Sequence, residues 1–421
     1  MIHAEMAGLT HHHREGATAR PFPQWCRLDF AGVSHPVLLP VDAPLLDGLS
    51  RVMRGWTVTA SPVSGPQAGD VAFTRVTPEP GGYRLHSTHL DAPLPGLPVA
   101  SALCGILADL AQSWFSQRTG ALALHCAAAR IGGRLVAFAG PARAGKSTLA
   151  ARLTAEPDMQ LFCDDVLPIG ADGTALALGT APRLRLPLPE SVSQGFRAHV
   201  RAHLGPSDGR YGYVVTDTIA PHGTKDPLAA LVILDRRAEG PACLHAMAPG
   251  EAASHLLRQN MSDFSGPAAA LDTVSRVADG LICARLVYSD LDAAVQLLRT
   301  TFAGASAPNL APPLPADTPA TAAPLADPDA IWHRAPEAVI RRVSGAAFVW
   351  RPGEGRMWHL NLVAEAVWAL LEIPGSARDL ARTLAEAFPE EPPRKLLQDL
   401  RRLLGEMQQA GLSHPRPPEV M

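Results

Sequence analysis

The sequence predicts an α/β fold, and three adjoining stretches predict it. "RLVAFAG" is an apolar run ending in glycine, "KSTLAARLTAE" reads as a helix, and "MQLFCDDVLPI" reads as one buried strand ending in polar residues. Strand, loop, helix, strand is the opening of a P-loop α/β unit.

The totals frame that unit. A chain of 421 residues exceeds one ordinary core, so two or three domains are expected. Hydrophobic residues make up 47% and charged residues 18%, which suits a folded chain. The net charge of -3, without a block of like charges, gives no electrostatic case for nucleic-acid binding. The six cysteines (Cys26, Cys104, Cys126, Cys163, Cys243 and Cys283) form no C-x-x-C and read as thiols of a reducing compartment. "MIHAEMAGLTHHHREG" lacks the apolar stretch of a signal peptide, and no run of about eighteen apolar residues suggests a membrane span. A cytoplasmic protein is therefore expected, with no membrane partner and with homo-oligomers left open. His11, His12 and His13 read as a disordered tail rather than a metal site. Only three of the 37 basic residues are lysines: Lys146, Lys225 and Lys395. One of the three sits inside "GPARAGKST".

Four segments follow. Residues 1–119 read as a β-rich N-terminal region with a helix: "WCRLDFAG" and "HPVLLPV" alternate, and "VAFTRVTPEPGGYRLHST" is a hairpin turning at Pro80-Gly81-Gly82. "APLLDGLSRVM" is a short amphipathic helix. The spacing of Leu103, Leu107, Leu110 and Trp114 predicts a helix from Pro98 to Gln117. Residues 120–302 form the α/β domain. It opens with "LALHCAAARIGGRLVAFAG", read as two strands around Gly132-Gly133, and continues through "LAALVILDRR", "PGEAASHLLRQN" and "LDAAVQLLRTTF". Residues 303–335 are rich in Pro and Ala and read as a semi-extended linker. Residues 336–417 form a small α+β domain: strands "AVIRRV" and "AAFVWRP", then "MWHLNLVAEAVWALLE", a Pro374-Gly375 turn, a helix to Phe388, and a helix closed by Gly411.

The loop Gly140-Pro141-Ala142-Arg143-Ala144-Gly145-Lys146-Ser147 matches G-x-x-x-x-G-K-[ST], followed by Thr148. Glycines let backbone N–H groups turn onto phosphate oxygens, and the next helix presents its positive N-terminus to the same charge. Lys146 is expected to reach the β- and γ-phosphates of ATP, and the Ser147 hydroxyl to ligate Mg²⁺. A guanine-reading N-K-x-D is absent, as is an L-S-G-G-Q signature, which weakens switch and transporter readings. Asp164-Asp165 follow eighteen residues after Lys146, one helix and one turn away, so their strand is expected beside the loop's own strand. One carboxylate would hold Mg²⁺ and the other would accept a proton from an attacking hydroxyl.

His125, fifteen residues before Gly140, completes a pattern that resembles the kinase domain of the bacterial HPr kinase/phosphorylase family. That resemblance implies an HPr-kinase-like P-loop kinase domain. It implies that His125 orients Asp164, that Asp164 is the catalytic base, that Asp165 and Ser147 serve Mg²⁺, and that Lys146 binds phosphate. The family's later glycine-rich signature is missing, and "GTAPRLRLPLPE" takes roughly its place. Arg183 and Arg185 in it are candidate phosphate contacts, with solvated loop arginines as the alternative. Phosphorylase activity and HPr as substrate are not implied.

The C-terminal stretch "HLNLVAEAVWALLEIPGSARDL…" is similar to PqqD-like proteins in its N-x-x-A-x-x-[VI]-W-x-L-L run and its last helix with an A-G-L tail. The resemblance implies a small winged-helix-like domain that captures the leader of a ribosomally made precursor peptide as an added strand. Residues 346–352 and helix 394–409 would then form the groove. Phe348, Val349, Trp350, Arg401 and Arg402 are the candidate peptide contacts. The expected activity is a Ser/Thr peptide kinase using ATP and Mg²⁺. The alternatives are a nucleotide-regulated, non-catalytic peptide chaperone, or a kinase of a small molecule or carrier protein.

Overall fold

A computed structural model places the strands that frame the glycine loop in one nine-stranded sheet. The structure describes residues 25–65, 74–118, 120–304, 306–314, 324–354 and 356–416. The His11–His13 tail and part of the expected linker lie outside the described residues. The chain divides into two compact units. One holds residues 1–247, 255–263 and 280–313, and the other holds residues 248–254, 264–279 and 314–421.

The first unit begins with β1 (Trp25–Phe30), β2 (Val37–Pro40), α1 (Ala43–Val52), β3 (Val58–Val63), β4 (Thr74–Glu79), β5 (Gly82–Ser87), β6 (Leu94–Leu97) and α2 (Val99–Ser116). The strands form one sheet in the order β3-β1-β2-β4-β5-β6. The β4–β5 hairpin turns where Pro80-Gly81-Gly82 predicted, and Gly81 takes a φ of +85° that favours glycine. By length and composition α2 could cross a membrane. Here it is a core helix: Leu103, Ile106, Leu110 and Trp114 are buried, and its buried Asp109 accepts a 2.8 Å hydrogen bond from Thr74.

This region is stitched to the rest of the unit. Trp56 Nε1 donates to Leu178 O at 2.6 Å, and its ring stacks on His222. Arg54 N donates to Gly179 O, and His222 N donates to Arg54 O, each at 2.7 Å.

The chain continues through β7 (Leu122–His125), β8 (Ala127–Ile131), β9 (Arg134–Ala139), α3 (Lys146–Leu153), β10 (Gln160–Cys163), β11 (Val166–Ile169) and β12 (Thr174–Leu176). Next come β13 (Arg183–Arg185), α4 (Gln194–Ala202), β14 (Leu204–Ser207), β15 (Tyr211–Val214), β16 (Lys225–Arg236), β17 (Cys243–Ala246), α5 (Pro249–Gln259), α6 (Pro267–Ala278), β18 (Ile282–Tyr288) and α7 (Leu291–Phe302). The large sheet runs β10-β8-β9-β16-β12-β11-β7, with β18 on β16 and β17 on β18. β16 is parallel to both β9 and β18, and Ala230, Val232 and Leu234 on it are buried.

Three expectations are corrected. Residues 121–139 hold three strands, because the chain breaks at Cys126. "MQLFCDDVLPI" holds two, because it breaks at Asp164-Asp165. β10 does not lie beside β9: the tight Gly132-Gly133 hairpin puts β8 there first, and β10 pairs with β8.

Besides α6 and the first part of α5, the second unit carries β19 (Ile331–Arg334), β20 (Val339–Val343), β21 (Ala346–Trp350), β22 (Met357–Leu360), α8 (Leu362–Leu370), β23 (Gly375–Ser376), α9 (Ala377–Ala387), α10 (Pro393–Gln409) and β24 (Ser413–Arg416). They form two small sheets, β20-β21-β22 and β23-β19-β24. Asn361 and Ser376 cap α8 and α9 with side-chain oxygens. β19 lies inside the stretch expected as linker. Its Trp332 is fully buried in the same cluster as Trp368, Leu380 and Leu404, so an apolar anchor overrides the Pro/Ala composition around it.

Candidate active site

The two chain breaks coincide. Cys126 N, between β7 and β8, donates to Asp165 O, between β10 and β11, at 3.0 Å. β10 pairs with β8, its register shifting between Leu161 and Cys163, whereas β11 turns away to pair with β7. Asp164 and Asp165 therefore sit on a seam where the sheet divides, freed from the strict alternation of a continuous strand.

The glycine loop runs from β9 into α3. Gly145 has a φ of +100°, and a Cβ there would lie 2.6 Å from the Tyr288 hydroxyl, so only glycine fits. That hydroxyl donates to Ala144 O at 3.1 Å and braces the loop. Arg143 holds a φ of +68°, rare for a residue with a side chain. α3 starts at Lys146 without a side-chain cap, which leaves its first N–H groups for a ligand. Lys146 Nζ donates to Gly140 O at 2.9 Å and to Pro141 O at 3.4 Å, and burial lowers its pKa.

The two aspartates differ sharply. Asp164 is 8% exposed. Its Oδ2 accepts Arg183 N at 2.9 Å, its Oδ1 is buried without a hydrogen-bond partner, and the Ser147 hydroxyl is near enough to pull its pKa down. Burial first, then the neighbouring Asp165 charge, raises its pKa to about 6 against the opposing pull of Arg183 and Ser147. The Asp165 side chain is 73% exposed, with Oδ1 3.3 Å from His125 Nε2. That contact is the main cause of its lowered pKa. His125 reaches it because β7 and β11 pair with Val166 opposite His125.

The pairing expected between His125 and Asp164 is therefore corrected. The histidine stands against the outward aspartate, while the inward one turns to Ser147 and the Arg183 backbone. Arg183 and Arg185 lie on β13. The Arg183 guanidinium sits 4.4 Å from the Tyr211 ring centroid, and Arg185 is exposed.

Sequence reasoning missed Tyr288, Tyr211, Tyr213 and Arg210, which gather around these groups. The short alternation "RYGYVV" after a Gly turn was the available signal. Among the described residues, no group of three or more His, Cys, Asp or Glu forms a metal cage. An orphaned carboxylate oxygen beside a serine hydroxyl does fit Mg²⁺, which uses few protein ligands together with substrate phosphates.

In the second unit the candidate peptide contacts are also revised. Phe348, Val349 and Trp350 are buried on β21, the central strand, both of whose edges are taken by β20 and β22. Strand addition needs a free edge, so β21 cannot accept one. Arg401 Nε donates to Ala326 O at 2.7 Å, and Arg402 pairs with Asp399 at 3.6 Å, so neither stands free.

A glycine loop braced at a helix start thus lies near a split carboxylate pair. Comparison with known proteins adds the following. Residues 346–412 match the family described as Coenzyme PQQ synthesis protein D (PqqD). Among solved structures, the Hpr(Ser) kinase/phosphatase from Coxiella burnetii aligns at 14% identity and a TM-score of 0.21, covering 42% of this chain and 90% of its own. No curated protein matches the chain.

Proposed function

We propose that this chain is a cytoplasmic kinase that transfers the γ-phosphoryl group of ATP to a Ser or Thr hydroxyl of a ribosomally made precursor peptide. The PqqD-like segment within 336–417 captures the peptide's leader. The catalytic part spans 120–302, with 1–119 as its scaffold. Joining capture and catalysis in one chain raises the effective concentration of the acceptor at the catalytic part.

One observation supports the reading: the two adjacent aspartates stand in opposite settings, one buried and one exposed. Asp164, buried beside Ser147 with an orphaned oxygen, is built to meet a cation. Asp165, exposed and held ionised by His125, is built to take a proton. The roles are the reverse of those implied by the sequence resemblance. Ser147 and Asp164 would hold Mg²⁺, which would supply charge neutralisation at the phosphate oxygens.

The loop amides of 140–146 and the start of α3 cradle the phosphates. Lys146 exchanges the Gly140 and Pro141 carbonyls for phosphate oxygens. Asp165 accepts the proton of the acceptor hydroxyl as its oxygen bonds to the γ-phosphorus. The bond from that phosphorus to the β–γ bridging oxygen breaks, and ADP leaves with the electron pair. His125 acts through Asp165, as a positioning residue.

The test is direct. The full chain is incubated with ATP, Mg²⁺ and Ser/Thr-containing peptides that carry or lack a candidate leader, and the peptides are weighed for an added phosphate. Transfer that the leader accelerates supports the reading. Leader binding with no transfer points to a nucleotide-regulated chaperone. Transfer that the leader does not accelerate points to a kinase of small molecules or carrier proteins.

A further inference from the structure

We propose that the outer edge of β13 is the acceptor platform, where the phosphorylated segment binds as an added strand carrying an acidic side chain two residues from its Ser or Thr. The proposal deepens the kinase reading and rests on it for the identity of the acceptor residue.

β13 is an edge strand. It pairs with β15 alone, in a three-stranded sheet of order β13-β15-β14. Val214 N donates to Pro182 O, and Leu186 N donates to Arg210 O, so residues 182 and 186 face β15. Alternation along an antiparallel ladder then turns the main-chain groups of Arg183 and Arg185 to the opposite edge. Arg183 N confirms this direction, because it donates to Asp164 Oδ2 at 2.9 Å. The free edge thus begins at the aspartate pair and runs away from it. Among the described residues no strand pairs with it.

The side chains above that edge are cationic. Arg183 lies opposite Tyr213 and Arg185 opposite Tyr211, so all four side chains share one face. Tyr211 is flanked by two guanidiniums, Arg183 at 4.4 Å and Arg210 at 5.2 Å from its ring centroid. Tyr213 is buried and forms the floor of that face. Arg183, Arg185 and Arg210 make no ion pair among the described residues, and Arg185 is exposed. Arg183 adjoins Asp164 and Asp165, and Asp208 accepts from the backbone of Arg210 and Tyr211. Arg185 is thus the guanidinium of this face left without a carboxylate contact among the described residues, and an exposed, unpaired guanidinium is complementary to an anionic partner.

The spacing sets the register. Arg183 adjoins the aspartates, and Arg185 lies two residues on, about 6.6 Å at the usual strand rise. An extended peptide has the same rise and the same alternation. With its hydroxyl at Asp165, its side chain two residues away meets Arg185 and Arg210. The occupant is therefore an extended segment of the form Ser/Thr-x-Asp/Glu, or its reverse.

The experiment uses the full chain and synthetic alanine-based peptides. Each carries one Ser, with Glu, Gln or Lys two residues to either side. Binding is read by fluorescence anisotropy with Mg²⁺ and a non-hydrolysable ATP analogue, and transfer is read with ATP. Wild type is expected to favour one of the Glu peptides over its Gln counterpart by about tenfold, the scale of a charge-assisted hydrogen bond. Arg185→Glu is expected to invert the order in favour of Lys. Transfer with no preference among Glu, Gln and Lys overturns the proposal and leaves the kinase reading standing. Acid-selective binding that Arg185→Glu inverts, with no transfer to any peptide, sustains the platform and overturns the kinase. Neither binding nor transfer overturns both.

Discussion

His125 Nε2 stands 3.3 Å from Asp165 Oδ1, whereas the adjacent Asp164 accepts from the Arg183 backbone at 2.9 Å. Two consecutive carboxylates thus occupy opposite electrostatic settings. The split should appear in mutants. Asp165→Asn should lower kcat by roughly 10²- to 10⁴-fold, the usual weight of a general base, and leave Mg²⁺-nucleotide affinity intact. Asp164→Asn should abolish the Mg²⁺-dependent tightening of nucleotide binding, read by isothermal titration. The opposite pattern would restore the roles implied by the sequence resemblance.

His125→Ala removes the contact that lowers the Asp165 pKa. The acid limb of the pH–rate profile should then move to higher pH, with nucleotide affinity unchanged. A uniform drop in rate at all pH values would make His125 structural.

Asp164 has its pKa raised to about 6, so the fold favours its neutral form. Its ionisation costs stability progressively as pH rises from the usual carboxylate value through 6. Asp164→Asn escapes that cost. Without nucleotide or metal, its melting temperature should exceed that of wild type at pH 8, and the gap should close by pH 4.

His222 behaves in the opposite sense. Burial against Trp56, with ring centroids 3.6 Å apart, and the nearby Arg118 charge lower its pKa to about 4. The fold favours the neutral ring, so this contribution is full above the usual value near 6.5 and is lost as pH falls toward 4. His222→Phe keeps a ring on the indole and removes the titration. Its melting temperature should fall less than that of wild type between pH 7 and pH 4.5.

Trp332 tests whether β19 belongs to the second unit's core. Trp332→Ala should cost that unit about 3–5 kcal/mol, measured by calorimetry. A shift near zero would return residues 331–334 to a linker role.

Much of the architecture was readable because it is local. The glycine loop, the β4–β5 hairpin and the starts of α8 and α9 each rest on a few adjoining residues. The seam was not readable, because Cys126 carries the apolar run straight through the first break, and at the second the two aspartates read as the polar end of one strand. Nor could neighbours in sequence show which aspartate His125 meets: that choice is made by the β7–β11 register, between segments about forty residues apart. The β13–β15 pairing is equally non-local. The central place of β21 was in fact written in "AAFVW", five buried residues in succession with no alternation, the mark of a strand covered on both faces.

The stitching of Trp56, Arg54 and His222 bears on how the protein can be cut. A fragment beginning at residue 120 would strip α2 from its partners, unstack His222 and orphan the carbonyls of Leu178 and Gly179. The smallest soluble piece able to hold nucleotide should therefore start ahead of β1, and proteolysis between α2 and β7 should nick the chain without releasing its two halves.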